Sequence, residues 1–482
     1  MIESLDSIQF HSNQTLKDVM KAFMSSYVQS YGFGLIVDNQ KKCVGVITDG
    51  DIRRAIVSDR STKTPIHELM NRKFVYVTAD TSPHQMLRLF DNDPPITHLP
   101  ILDKKGRLVN VLRSSEFRAS KGMQTKLIRS RSPVRISFGG GGTDMSMYFN
   151  KNPSCVLNIT INKFCYTTVS IRADNCIKLI SKDFNEELEV ASIDQLKYNG
   201  SLDLVKACVK LMQPSFGFNL ETSSDVEPGT GLGGSAALAV SIIGAFNYFR
   251  NEKQLDKYAM ADVAYQAERI ELNIKGGWQD QYAAVFGGLN FLEFREDETF
   301  VNPLRLPDDI LLELHYNLLM FRVGGTRESG VIISDQQEAY SFKNKKIQNQ
   351  YNQQLHVALK MKDMLVKGNL VEFGDLLNEA WNIKKTFSDC ISNDYIDEIY
   401  KAAIDAGASG GKLLGAGQSG YLLLFCDPKF QSSVISRLKP LGARNETFDF
   451  VETGVQTWAS EGSSLETINT EVKPQLDRLI SD

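Results

Sequence analysis

Four consecutive glycines, Gly139 to Gly142, directly follow the strand-like run Val134–Phe138. Ordering such a stretch is costly, because glycine loses more backbone entropy on folding than any other residue. Something must therefore approach that backbone closely, a ligand or another segment of the chain. The stretch reads Arg135-Ile-Ser-Phe-Gly-Gly-Gly-Gly-Thr143-Asp144. The Asp144 carboxylate at its end can accept hydrogen bonds from sugar hydroxyls; a turn or helix-cap role is the competing reading.

Two further glycine-rich stretches follow. Glu227-Pro-Gly-Thr-Gly-Leu-Gly-Gly-Ser235-Ala-Ala precedes the apolar run Ala236–Phe246, which reads as a helix. A helix N-terminus behind such a loop suits a polyphosphate, since its unpaired N–H groups and its dipole face the charge. The bland alternative is a Gly-rich turn before a core helix. The third stretch is Gly411-Lys-Leu-Leu-Gly415-Ala-Gly417-Gln-Ser-Gly420. Gly231–Ala236 and Gly415–Gly420 nominally fit dinucleotide-binding patterns, but those need a strand before and a helix after. The first follows the polar stretch Thr222–Pro228, and the second runs into the strand Tyr421–Phe425. Gly407–Lys412 is one residue short of a Walker loop and is followed by Leu413, so no P-loop is present. Strand-like runs (Val134–Phe138, Val156–Ile161, Tyr166–Arg172, Ile177–Ser181) give way to helical ones (Ala236–Arg250, Lys257–Leu272) without regular alternation, which indicates an α+β fold.

The order of these three stretches over about residues 130–455, with the acidic segment Ala267-Glu268 to Asp280, resembles the GHMP kinases. The resemblance implies a two-lobed fold, a ribosomal-protein-S5-like N-terminal lobe over 130–310 and a ferredoxin-like C-terminal lobe over 311–457. ATP is expected at Pro228, Gly229, Thr230, Gly231, Leu232, Gly233, Gly234, Ser235 and Ala236. Ser235 and Glu268 match the family's Mg²⁺ positions, and Asp280 matches its catalytic aspartate with Arg135 as partner. A solvated helix face is the competing reading of Glu268. Phosphoryl transfer from ATP needs such hard oxygen ligands and a group that orients the attacking hydroxyl. Two positions depart from the pattern: Gly234 stands for a serine, and Gln418-Ser419 for two glycines.

The segments Arg135–Asp144, Asn158–Lys163 and Gly276–Tyr282 are most similar to the D-glycero-D-manno-heptose 7-phosphate kinases, which phosphorylate the anomeric C1 hydroxyl. Substrate contacts are then expected at Gly141, Gly142, Thr143, Asp144, Gly415 and Gly417, with Lys163, Arg327 and Lys384 as candidate cations for the phosphate. Two alternatives stay open. One is a kinase for a non-phosphorylated sugar, fucokinase- or galactokinase-like. The other is a nucleotide-sensing regulator with a degenerate kinase domain.

The first quarter of the chain repeats itself. Leu35–Asp38 and Val44–Arg54 align with Leu99–Asp103 and Val109–Phe117 at an offset of 65 residues between Asp38 and Asp103. One unit of this size cannot bury both faces of its sheet, so the two are expected to pack together. Residues 1–118 resemble a CBS-domain pair, which implies AMP, ADP or ATP in the cleft, with Thr48 and Asp51 on phosphate and ribose. Helix capping by Thr48 or Asp49 is the alternative role. A linker is expected over 119–129 and a tail over 458–482.

The formal net charge of −4, with both signs mixed and no Lys/Arg block, argues against a nucleic-acid partner. The N-terminus carries no signal-peptide pattern and no apolar run is long enough to span a bilayer. Seven scattered cysteines without a C-x-x-C pair argue for reduced thiols and against a zinc site. The thiols lead us to expect a cytoplasmic protein. The resemblance to CBS pairs, which often self-associate, implies a homodimer, and that to the GHMP kinases implies ATP and a small sugar as its partners.

Overall fold

The computed structural model describes residues 8–23, 33–78, 80–91, 96, 98–114, 117, 125–172, 174, 176–296, 298–324 and 345–462. Arg327 lies outside them. The first repeat unit comprises β1 (Gln9–His11), α1 (Leu16–Phe23), β2 (Phe33–Val37), β3 (Cys43–Thr48) and α2 (Asp49–Val57). The second comprises β4 (Val77–Thr78), α3 (Pro83–Phe90), β5 (His98–Leu102) and β6 (Leu108–Arg113). Each forms a three-stranded sheet with the same logic, a parallel pair followed by an antiparallel one. Leu102 and Val111 of the second unit are buried in the core of the first, with Leu35, Ile36 and Ile47. The Cys43 N–H donates to the Gly106 carbonyl at 2.8 Å, tying the units further. The second repeat thus helps to complete the core of the first, the support that so small a unit needs.

The rest of the chain opens with β7 (Thr125–Gly139), followed by α4 (Ser146–Phe149), β8 (Ser154–Ile171), β9 (Ile177–Ser181), β10 (Glu186–Val190), α5 (Asp203–Met212) and β11 (Phe218–Ser224). Then come α6 (Gly234–Asn247), α7 (Lys257–Tyr265), a π-turn (Gln266–Glu271), α8 (Gln279–Phe286), β12 (Leu289–Phe294) and β13 (Thr299–Pro303). The long strand β8 is the axis of an eight-stranded sheet. It pairs along nearly its whole length with β7 and, on its other edge, with β12 and β11 in succession. Helix α6 is apolar on all sides and buries ten of its fourteen residues, so it can sit only inside the lobe. A Cβ at Gly244 would come within 2.8 Å of Val455 and 2.9 Å of Ser130, which shows how closely α6 lies on the sheet.

The second lobe holds α9 (Asp308–Tyr316), β14 (Leu318–Val323), α10 (Lys345–Lys367), α11 (Leu370–Lys385), α12 (Asp394–Asp405), β15 (Ala408–Leu413), β16 (Gly420–Cys426), α13 (Pro428–Leu438) and β17 (Arg444–Glu446). Its sheet is antiparallel in the order β15-β16-β14-β17. The architecture is α+β, as expected.

Two expected boundaries move. Strand β7 begins at Thr125, inside the segment read as a linker, and the last strand, β18 (Gln456–Gly462), runs through the position read as the start of a tail. The two pair with each other, Gln456 opposite Arg131 and Gly462 opposite Thr125. Each satisfies the other's backbone hydrogen bonds, a reason that no local composition reveals. All seven cysteines are free, and among the described residues no helix is long and apolar enough to cross a membrane. Arg53 on α2 reaches the body of the chain, donating to Asp194 at 3.2 Å.

Candidate active site

The second and third glycine-rich loops meet across the two lobes. Gly231 has φ +87° and Gly415 φ +74°, and a Cβ on Gly231 would lie 2.4 Å from the Leu414 carbonyl oxygen. Gly420 similarly faces the Thr230 carbonyl, where a Cβ would come within 2.3 Å. Arg322 on β14 clamps the junction: Nη2 donates to Glu227 Oε2 at 3.0 Å and Nη1 to the Gly420 carbonyl at 3.2 Å. Helix α6 then starts at Gly234 behind Gly233 (φ +76°), with no side chain capping it. Its first N–H groups are therefore left without an intrahelical partner, facing the loop. Ser235 is exposed in that first turn. In the third loop Gln418 takes φ +58°, the conformation that the usual glycine adopts without a steric penalty.

Arg135 leaves β7 almost fully buried and holds two partners. Its Nε donates to Asp280 Oδ1 at 2.8 Å and its Nη1 to the Gly231 carbonyl at 2.7 Å. Asp280, in the first turn of α8, lies against the loop backbone, because a Cβ on Gly233 would sit 3.2 Å from its carboxyl carbon. Asp144 approaches from the glycine run. It accepts from the Gly142 N–H at 2.9 Å and the Gln279 N–H at 3.2 Å. Burial, then the like charge of Asp280, pushes the Asp144 carboxyl above its ordinary range. Thr143 is fully buried and turns inward instead, its hydroxyl donating to the Gly140 carbonyl at 2.8 Å. Gly141 packs beside Ser137 and Gln279.

Lys384, at the end of α11, donates from Nζ to the Gly415 carbonyl. Burial first and the Arg135 charge second depress its ammonium to about 8, while Asp144 and Asp280 oppose that shift. These groups are therefore one electrostatic cluster: Arg135, Asp144, Asp280 and Lys384. Lys412 on β15 joins it, donating to the Phe138 carbonyl at 2.9 Å, and burial followed by Lys384 drives its pKa well down. The sequence reading did not include Lys412 or Arg322. For Arg322 the available signal was a lone cation inside the otherwise apolar strand Leu318–Val323; Lys412, in Ala-Ser-Gly-Gly-Lys-Leu, carried no such signal.

Glu268 sits in the π-turn with no exposed surface, so it is not a solvated helix face. Gln281 Nε2 donates to its Oε2 at 2.5 Å. Its Oε1 has no hydrogen-bond partner among the described residues, and the Arg269 guanidinium stands off at 3.7 Å. An orphaned buried carboxylate oxygen, and the Ser235 hydroxyl on α6, which packs against the π-turn, are hard donors of the type Mg²⁺ takes. The residues fit that ion.

Other expected contacts fall elsewhere. Lys163 is directed to Glu446 on β17, at 3.9 Å, and the structure does not bring it to the Asp144–Lys384 cluster, because β17 offers a carboxylate beside it. Gly417 packs on Ile391, where a Cβ would lie 2.5 Å from the carbonyl oxygen. Thr48 and Asp51 form a capping box on α2, Thr48 Oγ1 donating to Asp51 Oδ2 at 2.7 Å.

Comparison with known proteins agrees with this geometry. A model described as GHMP kinases N terminal domain matches residues 203–288, and one described as GHMP kinases C terminal matches 361–439. The CBS domain model matches 2–58 and 66–120. The D-glycero-alpha-D-manno-heptose 7-phosphate kinase of Campylobacter jejuni is 37% identical over 339 residues, covering 69% of this chain and 99% of that protein. The L-fucokinase/L-fucose-1-P guanylyltransferase of Bacteroides fragilis is 26% identical over 358 residues, covering 68% of this chain and 37% of that protein. Among solved structures, a D-glycero-D-manno-heptose 1-phosphate kinase from Bacteroides thetaiotaomicron superposes with TM-score 0.58 at 28% identity, over 69% of this chain and 98% of that one. A galactokinase from Lactococcus lactis, at 17% identity, TM-score 0.56, and 71% and 98% coverage, shares the fold. With its three glycine-rich loops joined around Arg135 and Asp280, and a pair of CBS domains ahead of them, the chain belongs to the GHMP kinases and is a sugar kinase.

Proposed function

We propose that this kinase transfers the γ-phosphoryl group of ATP to the anomeric C1 hydroxyl of D-glycero-D-manno-heptose 7-phosphate, giving the 1,7-bisphosphate for nucleotide-activated heptose synthesis. The observation that carries the reading is Asp280, fixed by Arg135 against the glycine loop with Lys384 buried beside it. The 37% identity to a heptose 7-phosphate kinase supports the sugar.

In this reading the loop Pro228–Ala236 binds the triphosphate through backbone N–H groups. Asp144 accepts hydrogen bonds from the sugar, and Lys384 neutralises anionic charge on the substrate. Asp280 orients the C1 hydroxyl and takes its proton as the oxygen attacks the γ-phosphorus, and the bond from that phosphorus to the ADP oxygen breaks. Arg135 holds Asp280 in place and offsets the negative charge in a reaction governed by position and electrostatics. Ser235 and Glu268 would hold Mg²⁺, which supplies positive charge to the phosphate oxygens.

The test is ADP release with Mg·ATP over heptose 7-phosphate, heptose, fucose and galactose, with the product's phosphorylated carbon read by phosphorus–proton NMR. The names of the two heptose relatives differ in the position they cite, 7-phosphate and 1-phosphate, so the NMR arm decides the carbon. Preference for fucose or galactose would favour the non-phosphorylated-sugar reading. At the N-terminal module we propose AMP, ADP or ATP at Thr48 and Asp51, supported by the CBS match.

A further inference from the structure

We infer that Gln281 is a positioning residue that sets the Glu268 carboxylate for the metal–nucleotide complex; the inference rests on the reading of Glu268 as a metal ligand. Both side chains have no exposed surface. A buried carboxylate is expensive unless it is hydrogen-bonded or bound to a cation. Glu268 is hydrogen-bonded on one side only: Gln281 Nε2 reaches Oε2 at 2.5 Å, whereas Oε1 has no hydrogen bond among the described residues and faces the Arg269 guanidinium at 3.7 Å, beyond hydrogen-bond distance.

The arrangement depends on the local chain path. Helix α7 widens into the π-turn Gln266–Glu271, which packs against α5 and α6 and carries Glu268 inward, to where Gln281 of α8 meets it. Such single wide turns recur at functional sites. Gln281 follows Asp280 on α8, so the helix that presents the hydroxyl-orienting carboxylate also fixes the oxygen beside the phosphates. The amide's one contact with the carboxylate is at Oε2, which leaves Oε1 for a cation. Gln281 itself touches neither substrate nor metal in this account; it acts through Glu268.

The test compares wild type, Gln281→Met and Glu268→Gln in the full chain. Methionine keeps the length and volume of glutamine and removes the donor. Mn²⁺ serves as the probe, titrated in the presence of a non-hydrolysable ATP analogue and followed by its electron paramagnetic resonance signal. Analogue binding without metal and thermal melting are measured in parallel. Losing such a supporting hydrogen bond weakens metal binding roughly 10–100-fold. The expected result is therefore a Mn²⁺ affinity about 10-fold or more weaker in Gln281→Met with metal-free analogue binding held near wild type, while melting falls somewhat because the buried carboxylate loses its donor. An unchanged Mn²⁺ affinity in Gln281→Met, with Glu268→Gln weakened, overturns the positioning role alone. Unchanged affinity in both variants overturns the metal reading of Glu268 and this inference with it. A Gln281→Met chain that melts early and loses metal-free analogue binding to the same degree overturns it as well, since the role is then structural.

Discussion

Gly231 and Gly415 touch backbone to backbone: a Cβ built on Gly415 would fall 2.2 Å from the Gly231 α-carbon. One belongs to each lobe, and both have positive φ, so any side chain at either position is strained as well as obstructed. Alanine at Gly415 should destabilise the protein by roughly 2–4 kcal/mol, from the backbone conformation and the overlap together. It should also raise the KM for ATP. Denaturant unfolding and ATP kinetics check this, and wild-type values in both would mean that the lobes do not need that contact.

Asp280→Asn keeps the shape of the side chain and removes its basicity. We expect kcat to fall by about 10²–10⁴-fold, the usual contribution of a positioned acid–base group. Nucleotide affinity by calorimetry should stay within a few-fold of wild type. A variant that turns over sugar at the normal rate would remove Asp280 from the chemistry.

Lys384 gives a pH signature. Its ammonium is depressed to about 8, so it carries its proton below that pH and loses it above. The KM for a phosphorylated sugar should therefore rise as pH passes upward through about 8. Lys384→Met should flatten that limb and weaken binding by roughly 1.5–3 kcal/mol, the scale of a hydrogen bond to a charged group. The check is the pH profile of kcat/KM for both proteins. An equal KM change for a sugar without phosphate would place the lysine's role elsewhere.

The N-terminal repeats should make the kinase responsive to adenine nucleotides. Removing residues 1–120 leaves β7 whole, since that strand begins at Thr125. The truncated enzyme should lose any effect of AMP on its kinetics. A response that survives the truncation counts against the repeats as the sensing module.

Glycine-rich loops are legible in sequence because their chemistry is local: each demands a backbone geometry that few residues allow. The lobes' α+β character and the repeat were readable for the same reason. What escaped were relationships set by distant segments. Lys163 looked like a free cation until β17 placed Glu446 beside it. Lys412 looked like part of a loop motif, yet the fold buries it on the Phe138 carbonyl. The helix expected over Lys257–Leu272 widens at Gln266, and that widening turns Glu268 inward where a regular helix left its direction open. Strand β18 offered no local sign of its partner, which precedes it by most of the chain.

The pairing of Gly462 with Thr125 leaves the catalytic portion with its two ends side by side on neighbouring strands. Its path is a nearly closed ring. A short splice between those ends, with new termini opened in an exposed loop, is sterically compatible with the whole sheet, whereas trimming either end strips one edge of its cover and exposes unpaired backbone to aggregation.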